Sequence, residues 1–154
     1  MTAARAWSLA AGLCLLTLAA DQAAKAIVEA QLVTGEQVSV LGPLELTLAH
    51  NKGVAFGLAG GAGIGLVLVT VAALALIAFV FSRDPEKPGM WVAAGLLAGG
   101  ALGNLVDRLA AGEVTDYIHV GSWPAFNLAD VAITAGVVLM ALIYLRDAEP
   151  AGDG

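Results

Sequence analysis

Charge is what this sequence is shortest of. Only 13% of its 154 residues are Asp, Glu, Lys or Arg, against ~25% in an ordinary soluble domain. Apolar residues make up 59%, and mean hydropathy is +0.85. That balance excludes a water-soluble fold. The seven basic residues stand singly in a chain of net charge -6, so there is no clustered basic surface for nucleic acid. Cys14 is the only cysteine, which rules out an intrachain disulfide and says nothing about redox compartment. The chain also has no Gly-x-Ser-x-Gly, no His-Glu-x-x-His and no Cys-x-x-Cys, and His50 and His119 lie far apart. Serine-triad hydrolysis and zinc chemistry therefore lose their usual signatures.

What the sequence does have is four uncharged stretches: Ala6 to Ala20, Gly53 to Ser82, Pro88 to Val106 and Val131 to Leu145. Four spans of about 20 residues use roughly half of the chain, so residues 1–154 read as one integral membrane domain, all-α, with four transmembrane helices. Residues 1–20 read as a retained helix rather than a cleaved signal peptide, because no small-x-small site precedes a polar mature chain. The first and last stretches, at 15 residues, reach only about 22 Å across a hydrocarbon core of ~30 Å. To span, each must draw in a charged neighbour. Arginine snorkels and aspartate cannot, so Asp21 and Asp130 are expected near membrane depth.

Alternation places both termini and the turn from Arg83 to Gly89 on one side. That side holds Arg5, Arg83, Lys87 and Arg146, against Lys25, Lys52 and Arg108 on the other, so the positive-inside rule makes the termini cytoplasmic. The first helix is expected to end at Asp21, the third at Asn104 to Arg108, and the fourth to begin at Asn127 to Asp130. All three polar ends then share the outer face. Between the first two helices, Leu44, Leu46 and Leu48 alternate with Glu45 and Thr47 after a Gly42-Pro43 break, which predicts a small antiparallel β-sheet on that face. The five glycines of Gly57 to Gly65 lack the spacing and lysine of a phosphate loop and read as a connection.

The polar residues of that face are the candidates for chemistry. Asp21 and Lys25 form an i,i+4 pair that reads as an ion pair securing the first helix. Gly95, Gly99 and Gly103 at four-residue intervals admit a close neighbouring helix and crowd Asn104, Asp107 and Arg108. A peptide-hydrolysing carboxylate pair must share one proton, one member activating water and the other donating. Asp107 has Arg108 beside it and suits that role less well, while Asp116 and Asp130 have no cation within several residues. Asn127 lies on the face of Asp130, and Tyr117, Trp123, Pro124 and Phe126 make the intervening segment an aromatic connection suited to a bilayer interface. An aspartyl dyad, a structural role and an ion-conducting role all remain open on these residues alone.

Five segments in order resemble the lipoprotein signal peptidase (signal peptidase II) family. They are Asp21-Gln22-Ala23-Ala24-Lys25, His50-Asn51-Lys52-Gly53-Val54-Ala55-Phe56, Gly99 through Arg108, Val114-Thr115-Asp116-Tyr117-Ile118 and Phe126-Asn127-Leu128-Ala129-Asp130. The resemblance implies an aspartyl endopeptidase of the bacterial inner membrane that cuts diacylglyceryl-modified prolipoproteins just before the lipidated cysteine. It places the catalytic dyad on Asp116 and Asp130 and the substrate-binding residues on Asn51, Gly53, Asn104, Arg108 and Asn127. Asp107 would support Arg108, and Asp21 and Lys25 would be structural. It implies no metal and no cofactor, and as partners lipidated prolipoproteins and membrane lipid, with the chain acting as a monomer. Val54 and His119 depart from the family pattern, where a smaller residue and an additional acid are common. The alternatives are a small proton- or cation-coupled carrier, which would want ionisable groups at mid-membrane, and a non-catalytic assembly subunit held by the glycine-lined helix.

Overall fold

The structure, a computed structural model, describes residues 1–53 and 62–148. Val54 and most of the Gly57 to Gly65 segment lie outside these residues, as does the chain's end from 149. The elements in order are α1 (Ala3–Gln31), β1 (Gln37–Leu41), β2 (Leu44–Asn51), α2 (Ala62–Arg83), α3 (Met90–Ala111), β3 (Val114–Val120) and α4 (Leu128–Ala148). All four helices are long and apolar enough to cross a membrane. The strands form one antiparallel sheet in the order β1-β2-β3. The expected architecture of four spans and a small sheet is therefore present.

Two boundaries differ from expectation. α1 does not stop at Asp21 but continues ten residues to Gln31. The stretch from Ala19 to Gln31 is rich in Ala, Lys, Glu and Gln, all strong helix formers, and the charges of Asp21 and Lys25 are paired inside the protein (2.7 Å), so nothing forces the helix to end there. At 29 residues α1 is about 43 Å long, which removes the shortfall of a 15-residue span. Secondly, Asp116 sits on a strand and not in an aromatic connection. Val114, Asp116, Ile118 and Val120 alternate with Thr115, Tyr117 and His119, and β2 supplies the ladder partners, Ala49 opposite Asp116 and His50 opposite Thr115. His119 lies opposite Glu45, its Nδ1 3.2 Å from Oε2, so this departure is accommodated within the sheet.

α3 is the central helix, packed against α1, α4 and α2. The glycine stripe explains how close that packing is. A methyl on Gly95 would lie 2.9 Å from the Ala10 carbonyl, and one on Gly99 2.7 Å from the Cys14 carbonyl, so α1 rests on the backbone of α3. On the α4 side, a Cβ at Gly100 would come 2.5 Å from the Ala129 carbonyl. Gly100→Ala must therefore push the first turn of α4 outward. It is expected to cost about 1–3 kcal/mol of stability, read as a lowered thermal midpoint in detergent.

Apolar clusters close the two ends. At one, Ala6, Ala10, Phe81, Met90 and Ala94 pack together, with the Trp7 and Phe81 rings edge to face at 4.7 Å. The Ala3 amide donates to Glu86 (2.8 Å) and Lys87 lies over the Tyr144 ring (4.5 Å), so the N-terminus, the α2–α3 turn and the end of α4 share that end, as alternation requires. At the other end Val28, Leu48 and Tyr117 seat the sheet on the extension of α1.

Candidate active site

The polar ends of α3 and α4, the far part of α1 and strands β2 and β3 meet at the sheet end of the bundle. Asn127 precedes the first turn of α4. Its Oδ1 accepts the Asp130 amide at 2.9 Å, and Asp130 Oδ2 accepts the Asn127 amide at 3.3 Å. This is a reciprocal capping box, the physical reason for the three-residue spacing. Asp130 thereby occupies the helix N-terminus, whose free amides and dipole are complementary to negative charge.

Asp116 is brought to Asn127 by the chain's return. Phe126 and Ile118 exchange backbone hydrogen bonds (2.8 and 2.9 Å), so residue 127 arrives beside β3. Asn127 Nδ2 then donates to Asp116 Oδ1 at 2.8 Å, and Asn51 Nδ2 donates to Oδ2 at 3.1 Å. The carboxyl is 4% exposed. Burial pushes its pKa up to about 6; the Asn51 donor opposes this, the Asp130 charge adds to it, and Asn127 and Lys25 oppose it further. Gly53 fixes the Asn51 amide from its other side, since its N–H donates to Asn51 Oδ1 at 2.9 Å. Gly53 has φ +70°, which favours glycine, and a Cβ there would also have to displace the tip of the Leu66 side chain.

Asn104 links the two carboxylates from α3. Its Nδ2 donates to Asp130 Oδ1 at 2.8 Å, and its Oδ1 accepts from Asn127 Nδ2 at 3.1 Å and from Lys25 Nζ at 3.1 Å. Behind it, Lys25 bridges Asp21 (2.7 Å) and Asp107 (2.6 Å). Asp21 is fully buried, and its Oδ1 accepts the Ala129 amide at 2.9 Å, capping α4 from α1. Gly103 makes room for it, since a Cβ there would lie 2.5 Å from Asp21 Oδ2.

One expectation is overturned. Asp107 does not support Arg108; it pairs with Lys25 and accepts from Gln22 (2.8 Å) and the Thr115 amide (3.4 Å). Adjacent positions on a helix point about 100° apart, so Asp107 faces α1 while Arg108 turns towards α2 and α4. Among the described residues Arg108 donates to the Asn104 carbonyl (3.3 Å) and pairs with no carboxylate. It stands with Asn104 and Asp130 at the polar end of an apolar groove of about 490 Å³ between α2, α3 and α4. Val69, Ala73, Leu97, Ala101, Ile133 and Val137 line the groove's length.

All of the residues singled out from the sequence thus converge, with Asp21, Lys25 and Asp107 forming a layer behind the carboxylate pair. Three contributors were not anticipated. Gln22 bonds Asp107, Glu29 accepts from the Thr115 hydroxyl (2.6 Å), and the Thr115 carbonyl accepts from Asn127 (3.3 Å). Two of them were within reach: Asp21, Gln22, Lys25 and Glu29 recur at helical spacing, a polar stripe that only a continued, buried α1 could require. Among the described residues, no three His, Cys, Asp or Glu converge on a possible metal site.

Known proteins share this arrangement of chain. A family model described as signal peptidase (SPase) II matches residues 13–146. A lipoprotein signal peptidase of Pelotomaculum thermopropionicum is 43% identical over 136 residues, covering 87% of this chain and 90% of that one. Another, of Moorella thermoacetica, is 40% identical over 143 residues, covering 92% and 93%. A solved bacterial membrane enzyme superposes with a TM-score of 0.83 at 30% identity, covering 94% of this chain and 92% of its own. With its four spans, its connected carboxylates and these relatives, the chain belongs to the signal peptidase II family of membrane peptidases.

Proposed function

We propose that Asp116 and Asp130 are an aspartyl dyad that removes the signal peptide of lipidated prolipoproteins, cutting just before the modified cysteine. The observation that carries this reading is Asn127. One residue reaches two carboxyl groups in unlike surroundings at the polar end of an apolar groove, its side-chain amide donating to Asp116 and its backbone amide to Asp130. Asp116, buried and titrating near 6, is the member that holds the proton. Asp130, at a helix N-terminus and accepting from Asn104 and Asn127, is the ionised member. Asp130 takes a proton from water as the water attacks the scissile carbonyl, and Asp116 donates its proton to the carbonyl oxygen; as the tetrahedral diol collapses, Asp130 passes its proton to the leaving amine and Asp116 takes one back from a diol hydroxyl, which restores the starting pair. Arg108 keeps its proton and has five donors, so it binds a substrate carbonyl and does not act as a base. The substrate's signal helix and acyl chains stay in the groove and the surrounding lipid while the bond is offered where water is available. On this reading the chain works as a monomer in the bacterial inner membrane, with its termini cytoplasmic and the dyad at the outer face. The test is conversion of a lipidated prolipoprotein to its mature size by purified protein in detergent. Failure to cleave would sink the reading. Membership of a peptidase family leaves the carrier without support, and the assembly subunit would tolerate loss of either carboxylate.

A pH profile follows from the same geometry. The competent pair carries one proton, and Asp116 loses it as pH rises through about 6. The kcat/KM profile of the free enzyme is therefore expected to fall on its alkaline side near that value, as a property of the pair. Asn51 donates to Asp116 and favours its ionised form. Asn51→Ala should accordingly move the alkaline limb to higher pH, and a limb that stays in place or moves down would contradict the assignment.

A further inference from the structure

We propose that Lys25 is a positioning residue for the peptide-cleaving pair: it holds the Asn104 carboxamide in the single orientation that donates to Asp130 and accepts from Asn127. The inference rests on the dyad reading of Asp116 and Asp130.

A carboxamide has one accepting end and one donating end, and its neighbours decide which way it points. Lys25 is 3% exposed and has three N–H donors and no acceptor. Two donors go to Asp21 (2.7 Å) and Asp107 (2.6 Å), and the third goes to Asn104 Oδ1 (3.1 Å). Turned end for end, Asn104 would set its NH₂ against the ammonium and its oxygen against the Asp130 carboxylate. Both contacts would be repulsive. With the oxygen held by Lys25, Nδ2 reaches Asp130 at 2.8 Å and Oδ1 also receives Asn127, which in turn holds Asp116. An ion cluster whose only task was to join α1 to α3 would need Asp21 and Asp107 alone. The contact with Asn104 connects it to the reacting groups.

The charged groups facing Asp116 are Asp130 from α4 and Lys25 from α1, while β2 contributes the neutral Asn51. Lys25 favours the ionised Asp116, so its removal has a pH signature that loss of packing lacks.

The test is the double variant Lys25→Gln/Asp107→Asn, which removes one charge of each sign and leaves Asp21 bonded to the Ala129 amide. Measured in detergent on lipidated prolipoprotein, it is expected to keep KM within about twofold and to lose kcat by up to about 100-fold, the cost of misplacing reacting groups by an ångström or so. The alkaline limb of kcat/KM should move to higher pH. If this variant does not fold, the fully neutral Lys25→Met/Asp21→Asn/Asp107→Asn leaves no buried charge unpaired and serves for the kcat and KM measurement, the pH limb being read only on the double variant. A folded variant with the parent's kcat and limb would show that Lys25 only holds helices together. Asp116→Asn is run alongside. If it still turns over, the dyad reading falls and takes the inference with it; if it is inactive while the Lys25 variant is unaffected, only the inference falls.

Discussion

Replacing Asp116 or Asp130 by asparagine is expected to lower turnover by on the order of 10³-fold or more, with the fold retained. In the proposed mechanism each change removes one of two groups that exchange a proton with the substrate, and an amide neither takes up nor gives up that proton. Each change costs a hydrogen bond but leaves the backbone pattern in place. Asparagine at 130 keeps an oxygen for the Asn127 amide, so the capping box survives (3.3 Å in the parent), while its NH₂ meets the Asn104 NH₂ from which Asp130 accepted at 2.8 Å. Asparagine at 116 keeps an oxygen for Asn127, and the amide that replaces the other oxygen faces the Asn51 NH₂, so the hydrogen bond lost there is one to an exposed residue. Because the two carboxyls act as a unit, the double variant should be hardly slower than either single one. The measurement is kcat on lipidated prolipoprotein, with gel filtration and circular dichroism in detergent to establish folding. A single variant retaining a tenth of the parent's turnover would refute the assignment, whatever its stability.

The sequence carried the four spans because hydropathy is a property of runs of residues, and it singled out Asp116 and Asp130 as candidates because neither has a neighbouring cation. The i,i+3 spacing of Asn127 and Asp130 was legible as a shared face, but only the helix end turns that spacing into reciprocal hydrogen bonds. What stayed hidden depends on partners remote in sequence. Asp21 marks a helix end if it is read alone; with Lys25 and the Ala129 amide around it, it is an interior residue of α1. Asp107 beside Arg108 reads as a pair, yet their directions from α3 diverge and the true partner lies 82 positions away, at Lys25. Strand β3 is half visible in its alternation. Its role in presenting Asp116 depends on pairing with β2 and on the return through Phe126, which nothing local prescribes.

The layer behind the two carboxylates ties together the elements that carry them. Lys25, Asp21 and Asp107 carry one positive and two negative charges in a nearly dry environment, at 3%, 0% and about a tenth exposed. Buried ions of this kind add little net stability, because desolvation offsets their attraction, and removing one partner is expensive. Their persistence here is better explained by what they fix. Asp21 caps α4 and Asp107 holds the start of β3 through the Thr115 amide, so the elements bearing Asp130 and Asp116 are tied to one ammonium.

An otherwise identical prolipoprotein with an unmodified cysteine is expected to be cleaved at least about 100-fold less efficiently in kcat/KM. Its signal helix is enough to bring it into the micelle, so anchoring as such is not what the acyl chains add. They add a second attachment on the other side of the scissile bond. With only the signal helix held, the residues after the cut are free in water and the bond samples many depths and orientations. With acyl chains also held, each methylene contributing about 0.8 kcal/mol to staying out of water, both flanks of the bond are fixed at the level of Asp116 and Asp130. The groove fits this division: apart from Thr70 its walls from α2, α3 and α4 are apolar, and Asn104, Arg108 and Asp130 make its polar end. The comparison is made in one detergent, with both substrates, with and without a chelator. Chelation should change neither rate, since no converging set of metal-ligating side chains is present among the described residues. Equal cleavage of the two substrates would refute lipid-directed positioning while leaving the dyad standing. Loss of activity on chelation would refute the metal-free reaction whichever substrate is preferred.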